Sequence, residues 1–307
     1  MKKYIALFVV AMMLLPLAYS CAKKDQPEQN NDNEEQEQQP PVTPPAPAPG
    51  PVVITAITAV SEVISFEKNP AAEQPSYFEG AVCYRIITIE LTSSNRYYVY
   101  EISTSGNTRV LIGKYTYKEG SITCSGEFNA VIEPKEDGKL SITVTAGGKE
   151  TSIEAKGDIR KVGSPSAECA QAVGSWTIDA TYIKVSGKGL SLERAFKGCD
   201  IYSIVKYASE SGLKADPEKV AGYNISEISF TKAKSLLIYF TGASPFYGTF
   251  DVKDTNFSYK LLVGSNDLMN VTANGTLNFT DNNKAVLILS TTADGYSGSL
   301  EFDMSKK

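Results

Sequence analysis

Short runs in which apolar and polar residues alternate recur along the chain from residue 52 to residue 307, and they predict β-strands. Clear examples are YRIITIEL, RYYVYEI, KLSITVT, SLLIYFT and SLEFDM. Several runs are separated by dipeptides that readily take the positive φ of a two-residue hairpin turn, namely Asp137-Gly138, Gly147-Gly148 and Asp294-Gly295. Because hairpin follows hairpin, the sequence predicts an all-β fold built as an antiparallel meander.

Two segments of the chain share one pattern of residues. IGKYTYKEGSITCSG begins at Ile112, and YGTFDVKDTNFSYKL begins at Tyr247. The matched positions are Gly113, Tyr115, Tyr117, Lys118 and Glu119 in the first segment and Gly248, Phe250, Val252, Lys253 and Asp254 in the second. This match favours two copies of one domain type, an N-terminal β domain over 52–165 and a second β domain over 166–307.

The second half contains an insert with a different hydrophobic period, in the segment between TYIKV and ISEISFT. Apolar residues recur there at helical spacing, between Asp200 as a favourable N-cap and Gly212 as a terminator. These residues are Ile201, Ile204, Val205 and Ala208. Asp216-Pro217-Glu218 predicts the start of a further short helix. We therefore expect a helical insert between the first two strands of the C-terminal domain.

The motif Gly174-Ser175-Trp176 stands at the start of the first strand of this half, in VGSWTI. A glycine and a tryptophan at this spacing resemble the lipocalin superfamily, and most closely the lipocalin-like lipoprotein domains of Bacteroidetes, which carry helices after the first strand. The resemblance covers 174–304 and implies an up-and-down β-barrel with Trp176 plugging its closed end. Such a barrel has room for one small molecule. The runs LLIYF and AVLIL are apolar on both faces, which fits either an apolar cavity or a filled core.

The first residues predict export. A positive start is followed by an apolar stretch from Ile5 to Ala18, which is too short for a membrane-spanning helix and is typical of a signal peptide. The segment Ala18-Tyr19-Ser20-Cys21 resembles the relaxed lipobox of Bacteroidetes-type lipoproteins, and the following AKKD is similar to their surface-export signals. The resemblance implies a signal peptide over 1–20 and an acylated Cys21 that inserts among membrane lipids at the outer membrane, facing the cell surface. The alternative is an ordinary signal peptide with a cysteine nearby by chance.

Residues 21–51 are rich in Gln, Glu, Asn, Asp and Pro and have almost no apolar side chains. Such a segment cannot bury enough surface to offset the entropy of ordering it, and its proline-rich end favours an extended polyproline II conformation. We expect a disordered stalk that holds the folded part away from the membrane.

Composition excludes several kinds of chemistry. The chain has no histidine, which removes Ser-His-Asp catalysis, Cys-His catalysis and histidine-containing zinc sites. Its net charge of -5, without a basic run, argues against nucleic-acid binding. No Cys-any-any-Cys spacing occurs, so we expect no metal site, no cofactor and no catalytic residue. Carboxylate-only and Ser-Lys chemistry stay open, but we expect a protein that binds rather than catalyses.

After Cys21, the cysteines fall two to each half: Cys83 and Cys124, then Cys169 and Cys199. Export to an oxidising compartment allows a disulfide within each pair. The competing interpretation is buried free thiols, because alternation places Cys83 on the face of two isoleucines and Cys124 on the face of another.

Two functions follow from these features. The first is a binding module for an apolar or amphipathic small molecule held in the second barrel, whose contact residues the sequence does not identify. The alternative is a glycan-binding or adhesion accessory protein at the cell surface. This alternative depends on the 17 tyrosines, and on RYYVYEI in particular, which would expose tyrosine on both faces of a strand.

Overall fold

The structure, a computed structural model, describes residues 61–213, 216–241, 244–263, 269–293 and 296–307. Within these residues nineteen strands form two antiparallel sheets. The all-β meander is therefore confirmed. The signal peptide, Cys21, the stalk and the Asp294-Gly295 turn lie outside the described residues, and their assignments stay predictions.

The first sheet is an open half-barrel of ten strands in the order β10-β1-β3-β4-β5-β6-β7-β8-β9, with β2 paired to β3. Its strands are β1 (Glu62–Ser65), β2 (Ser76–Glu79), β3 (Val82–Leu91), β4 (Arg96–Ser103), β5 (Thr108–Lys118), β6 (Ser121–Gly126), β7 (Asn129–Pro134), β8 (Leu140–Ala146), β9 (Lys149–Ala155) and β10 (Asp158–Lys161). A short 3-10 turn (Ala71–Glu73) precedes β2. Both predicted hairpin turns in this half have positive φ, with Gly138 at 77° and Gly147 at 57°.

The second sheet closes into a barrel. Its strands are β11 (Gly174–Gly187), β12 (Leu190–Lys197), β13 (Ile225–Phe230), β14 (Ser235–Phe240), β15 (Phe246–Lys253), β16 (Asn256–Val263), β17 (Met269–Asp281), β18 (Lys284–Ala293) and β19 (Tyr296–Lys306). Strand β11 pairs with β13 at its start and with β19 along most of its length, so the eight strands other than β12 form a closed ring. Helix α1 (Ala167–Ala172) precedes the barrel, and helix α2 (Ile201–Glu210) lies between β12 and β13.

The predicted helix forms over the expected residues, but it lies between the second and third strands of the C-terminal sheet rather than between the first two. The Asp200 carboxylate accepts a hydrogen bond from the Ser203 backbone N–H (3.3 Å), which caps α2, and Gly212 leaves the helix with a φ of 96°. The predicted second helix is one 3-10 turn (Pro217–Val220). The segment LSLERAFK lies within the predicted insert, but it forms strand β12 because it pairs along its whole length with the end of β11.

Trp176 is fully buried inside the barrel, as the lipocalin resemblance implied. Its indole N–H donates to the Ala172 carbonyl of α1 (2.7 Å), and this hydrogen bond fixes the helix against the tryptophan. Nearby, the Phe230 ring lies 4.7 Å from Phe250 and 5.9 Å from Phe257, centroid to centroid. The described buried apolar side chains of the barrel and the buried face of α2 belong to one continuous apolar cluster.

Candidate functional site

The half-barrel and the barrel meet along an apolar cluster that is separate from the core of each sheet. Tyr100 of β4 stacks on Tyr247 of β15 with ring centroids 5.1 Å apart, and its hydroxyl donates to the Leu262 carbonyl (2.7 Å). At the edges, the Lys260 ammonium contacts the Glu67 carboxylate (2.9 Å) and the Arg160 guanidinium donates to a barrel carbonyl. The two sheets therefore share a buried interface, and any site at their junction has walls from both.

The hairpin turns at this junction have the same backbone conformation in both sheets. The turn between β3 and β4 has Asn95 at a φ of 59°, and the turn between β13 and β14 has Lys234 at 64°. The Asn95 carbonyl accepts a hydrogen bond of 2.9 Å from the Tyr115 N–H on β5. The Lys234 carbonyl accepts one of the same length from the Phe250 N–H on β15. The segments matched in the sequence thus lie on equivalent hairpins, β5-β6 and β15-β16.

The interface itself uses equivalent positions of the two sheets. When the two sheets are aligned on their equivalent turns, three residues of the half-barrel correspond to three residues of the barrel. All six belong to the apolar cluster between the sheets. They are Tyr98 and Leu237, Tyr100 and Tyr239, and Ile112 and Tyr247. The two sheets therefore pack against each other through the same face of each.

A cleft of about 310 Å³ opens beside this interface, between the two equivalent turns. Its lining includes seven serine and threonine residues, which come from strands and turns of both sheets and from the residue that precedes β1. The charged and aromatic side chains of the lining are Glu90, Arg96, Tyr98, Phe230 and Lys232. A concave volume of this size, with a few converging polar groups, has the usual form of a small-molecule site.

Glu90 forms the buried floor of the cleft. It lies next to the end of β3 and is 2% exposed, and its Oε2 atom has no hydrogen-bond partner among the described residues. Burial raises the pKa of the Glu90 carboxyl, while side-chain hydrogen bonds from Ser235 and Thr231 to this carboxyl and the charge of Arg160 act in the opposite direction. A buried acceptor without a donor costs free energy, so Glu90 favours a ligand that brings one.

The opposite, solvent-facing side of the cleft carries positive charge. Arg96, at the start of β4, and Lys232, in the β13-β14 turn, are both exposed. Within the part of the chain that the structure describes, neither side chain forms an ion pair. Deeper in the cleft the hydroxyls of Ser175 and Ser229 are hydrogen-bonded to each other (2.7 Å). The site thus combines one buried acceptor, two free cations and a series of hydroxyls.

The tyrosine strip expected on RYYVYEI is wrong. Tyr97 is fully buried in the half-barrel core, where its hydroxyl bonds the Phe128 backbone, and Tyr100 is 1% exposed at the interface. The expectation failed because one face of β4 packs inside the half-barrel and the other face is covered by the barrel. Tyr98 alone among these three tyrosines is half-exposed, and it lines the cleft.

The four cysteines of the described residues are free thiols. Cys124, Cys169 and Cys199 are buried, and Cys83 is half-buried. Burial raises the pKa of the Cys124 thiol and of the Cys199 thiol to about 12, which keeps both protonated at neutral pH and unsuited to nucleophilic chemistry.

The described residues lack two further features, a cluster of metal ligands and a membrane-spanning helix. They contain no group of three or more Cys, Asp or Glu side chains placed to hold a metal ion. They also contain no helix with the length and apolar character needed to cross a membrane.

Sequence reasoning missed the cleft, although one signal was present. Glu90 stands in TIEL between Ile89 and Leu91, inside a run that reads as a buried strand. A lone acidic residue there is unusual, because carboxylates are seldom fully buried without a functional or structural partner. The cations and serines carry no such signal, since turns are ordinarily polar.

Comparisons with known proteins were made by sequence and by structure. No family model matches the chain, and no curated protein matches its sequence. Among solved structures, a protein of unknown function from the DUF3598 family of Nostoc punctiforme is 8% identical, with a TM-score of 0.22 over 81% of this chain and 94% of that one. A candidate outer membrane protein of Bacteroides fragilis is 12% identical, with a TM-score of 0.23 over 81% and 95%. TM-scores of this size do not establish a common function.

Proposed function

We propose that the protein is a lipid-anchored binding module of the outer membrane, facing the cell surface, and that its ligand occupies the cleft between the half-barrel and the barrel. The observation that carries the proposal is the unpartnered Oε2 of Glu90 in a cleft of about 310 Å³. The anchor is proposed from the lipobox resemblance at Cys21, and the stalk over 21–51 gives the folded part its distance from the membrane.

The cleft is a better candidate site than the barrel interior. The described interior side chains of the second barrel belong to one continuous apolar cluster, which would suit an apolar or amphipathic ligand but supplies it no charged group. The cleft instead offers hydroxyls and charged groups on strands and turns of both sheets. The ligand we propose is therefore polar, and the alternative of a glycan-binding protein now depends on Tyr98 in the cleft rather than on an exposed strip.

Binding without catalysis is supported by the chemistry of the cleft. Glu90 is the one acidic side chain among its described lining residues. General acid-base catalysis by carboxylates commonly needs a second one, as in glycoside hydrolysis. The buried thiols with raised pKa lie elsewhere in the core and supply no nucleophile.

Filling the cleft should remove its ligand. In Ser94→Trp an indole replaces a small exposed side chain of the cleft lining, and we expect roughly tenfold or greater loss of a co-purifying small molecule, because the indole takes up its space. The measurement is native mass spectrometry of protein purified from its own host.

Ser105→Trp is the matched control. Ser105 lies on another exposed turn, and its hydroxyl contacts that of Ser103 (2.8 Å) much as the hydroxyl of Ser94 contacts that of Thr92 (3.0 Å). This variant should keep the added mass. An added mass that persists in Ser94→Trp would show that the ligand binds elsewhere.

Cys21→Ala should release the full chain from membranes, because an acylated cysteine with more than one chain gives effectively stable attachment and alanine cannot be acylated. Cell fractionation and immunoblotting measure the change. Cys83→Ala, which alters a cysteine of the folded part, should stay in the membrane fraction. The anchor assignment is wrong if both variants remain there.

A further inference from the structure

We infer that the ligand of the cleft is a small polyhydroxylated anion of the acidic-sugar class, a carbohydrate ring that carries a carboxylate. This inference depends on the proposed function, because it assigns a chemical class to the same site. It comes from three features of the cleft. These are its floor, which is the buried carboxyl of Glu90; its rim, which is the exposed cations Arg96 and Lys232; and its walls, which are the serine and threonine residues and Tyr98.

The floor of the cleft has one carboxylate oxygen that can accept a further hydrogen bond. Glu90 is 2% exposed, and its Oε2 accepts from no described residue. Hydrogen bonds to a buried carboxylate are strengthened by the low local dielectric, so a donor supplied by the ligand is favoured at this point. At neutral pH such a donor comes either from an uncharged group such as a hydroxyl or from a cationic group such as an ammonium.

The rim distinguishes between these two groups. Arg96 and Lys232 place two cations around one carboxylate, and in the described chain neither cation has an anionic partner. An ammonium ligand would enter a cleft with an excess of positive charge, whereas an anionic group would be attracted to it. A hydroxyl for Glu90 and an anionic group for the rim are therefore the favoured combination.

The walls favour a ring with several hydroxyls. Serine and threonine hydroxyls both donate and accept, as sugar hydroxyls do, and seven serine and threonine residues line the cleft. Two pairs of these hydroxyls, Thr92 with Ser94 and Ser175 with Ser229, are hydrogen-bonded to each other. The half-exposed ring of Tyr98 gives one apolar surface against which a sugar ring can pack. The volume of about 310 Å³ is at the lower end of the range for ligand sites, which suits one or two rings rather than a long chain.

The test compares three sugars that share one ring: glucuronic acid with a carboxylate, glucose without charge, and glucosamine with an ammonium. Titration calorimetry on the purified full chain should show glucuronic acid binding at least roughly tenfold more tightly than glucose or glucosamine. Its affinity should fall as salt is raised, because two exposed cations contribute to it.

Substitutions show which side chains contact the carboxylate of the ligand and which contact its hydroxyls. Arg96→Gln and Lys232→Gln should each weaken glucuronic acid binding by roughly fivefold or more and reduce its salt dependence. Glu90→Gln should weaken binding by roughly tenfold without reducing the salt dependence, because it replaces the charged acceptor for a ligand hydroxyl with a neutral amide, which forms a weaker hydrogen bond. Lys118→Gln, which removes an exposed lysine outside the cleft, should change neither quantity. Circular dichroism and thermal unfolding confirm that each variant is folded.

The outcomes separate the two proposals. Equal binding of glucose, preferential binding of glucosamine, or no binding of any of the three overturns the acidic-sugar class. If a host-derived mass is nevertheless lost in Ser94→Trp and kept in Ser105→Trp, the cleft stands as a binding site and only the ligand class is wrong. If that mass is kept in both, the proposed function of the cleft fails as well.

Discussion

Replacing Arg109 by methionine should lower the free energy of unfolding by about 4 kcal/mol, because it leaves the Glu101 carboxylate buried without its counter-charge. The Glu101 side chain is fully buried, and that of Arg109 is 23% exposed. Chemical denaturation at pH 7.5, with the m-value checked for two-state behaviour, measures the difference.

The size of this effect follows from how many groups Arg109 holds. Its Nε donates to the Glu101 carboxylate, and one terminal nitrogen contacts Glu79 (2.6 Å) and the Tyr77 hydroxyl (3.3 Å). The guanidinium carbon also lies 3.7 Å from the centre of the Tyr84 ring. The Tyr77 hydroxyl in turn donates to Glu101 (2.8 Å). One side chain on β5 thus connects β2, β3 and β4, and its loss affects all of these contacts.

The pH dependence of the stability lost in Arg109→Met identifies the cause of that loss. Burial raises the pKa of the Glu101 carboxyl, and the charge of Arg109 opposes that rise. Without Arg109 the pKa of Glu101 is higher still, so the folded variant binds a proton more readily than the unfolded chain does. The variant therefore gains stability as the pH falls, and its deficit should be smaller at pH 5 than at pH 7.5.

Two further variants complete this experiment. Lys139→Met removes exposed ion pairs to Asp137 and Glu154 and should have little effect, because solvent screens such pairs. The double variant Arg109→Met/Glu101→Leu removes both buried charges and should recover most of the loss. A double variant as unstable as the single one would show that packing rather than the uncompensated charge is responsible.

The strands and turns of this fold were predictable because their signals are local. Alternation of apolar residues and glycine-containing turns set the hairpins, and Asp200 with Gly212 set the limits of α2. Closure of the barrel was not predictable in this way. It depends on the pairing of β11 with β19, for example Ile183 opposite Leu300, which are more than a hundred residues apart and whose register no local pattern records.

The candidate site was less predictable than the fold because it lies between two sheets. RYYVYEI is apolar or aromatic on both faces, and this pattern fits a strand covered on both sides as well as it fits an exposed tyrosine strip. Only the packing of Tyr100 on Tyr247 decides between them. Glu90 carried a signal within its own strand, whereas Arg96 and Lys232 become significant only when two distant turns meet.

Gly113 and Gly248, which align in the repeated segment, should both be intolerant of alanine. We expect Gly248→Ala and Gly113→Ala each to lower the free energy of unfolding by about 2–3 kcal/mol, because a Cβ there overlaps backbone atoms that cannot move without shifting a strand. At Gly248 the Cβ would overlap the Lys260 carbonyl oxygen, and at Gly113 it would overlap the Ser125 carbonyl oxygen.

The physical cause at these two glycines is close approach rather than backbone conformation. Neither residue has a positive φ, so alanine would be allowed if space were available. Gly163→Ala is the matched control, since its Cβ would meet no atom within 4 Å and should leave the stability nearly unchanged. Thermal and denaturant unfolding of the three variants give the comparison. If Gly248→Ala is as stable as Gly163→Ala, the neighbouring strand adapts, and close packing does not explain why both halves have glycine at this position.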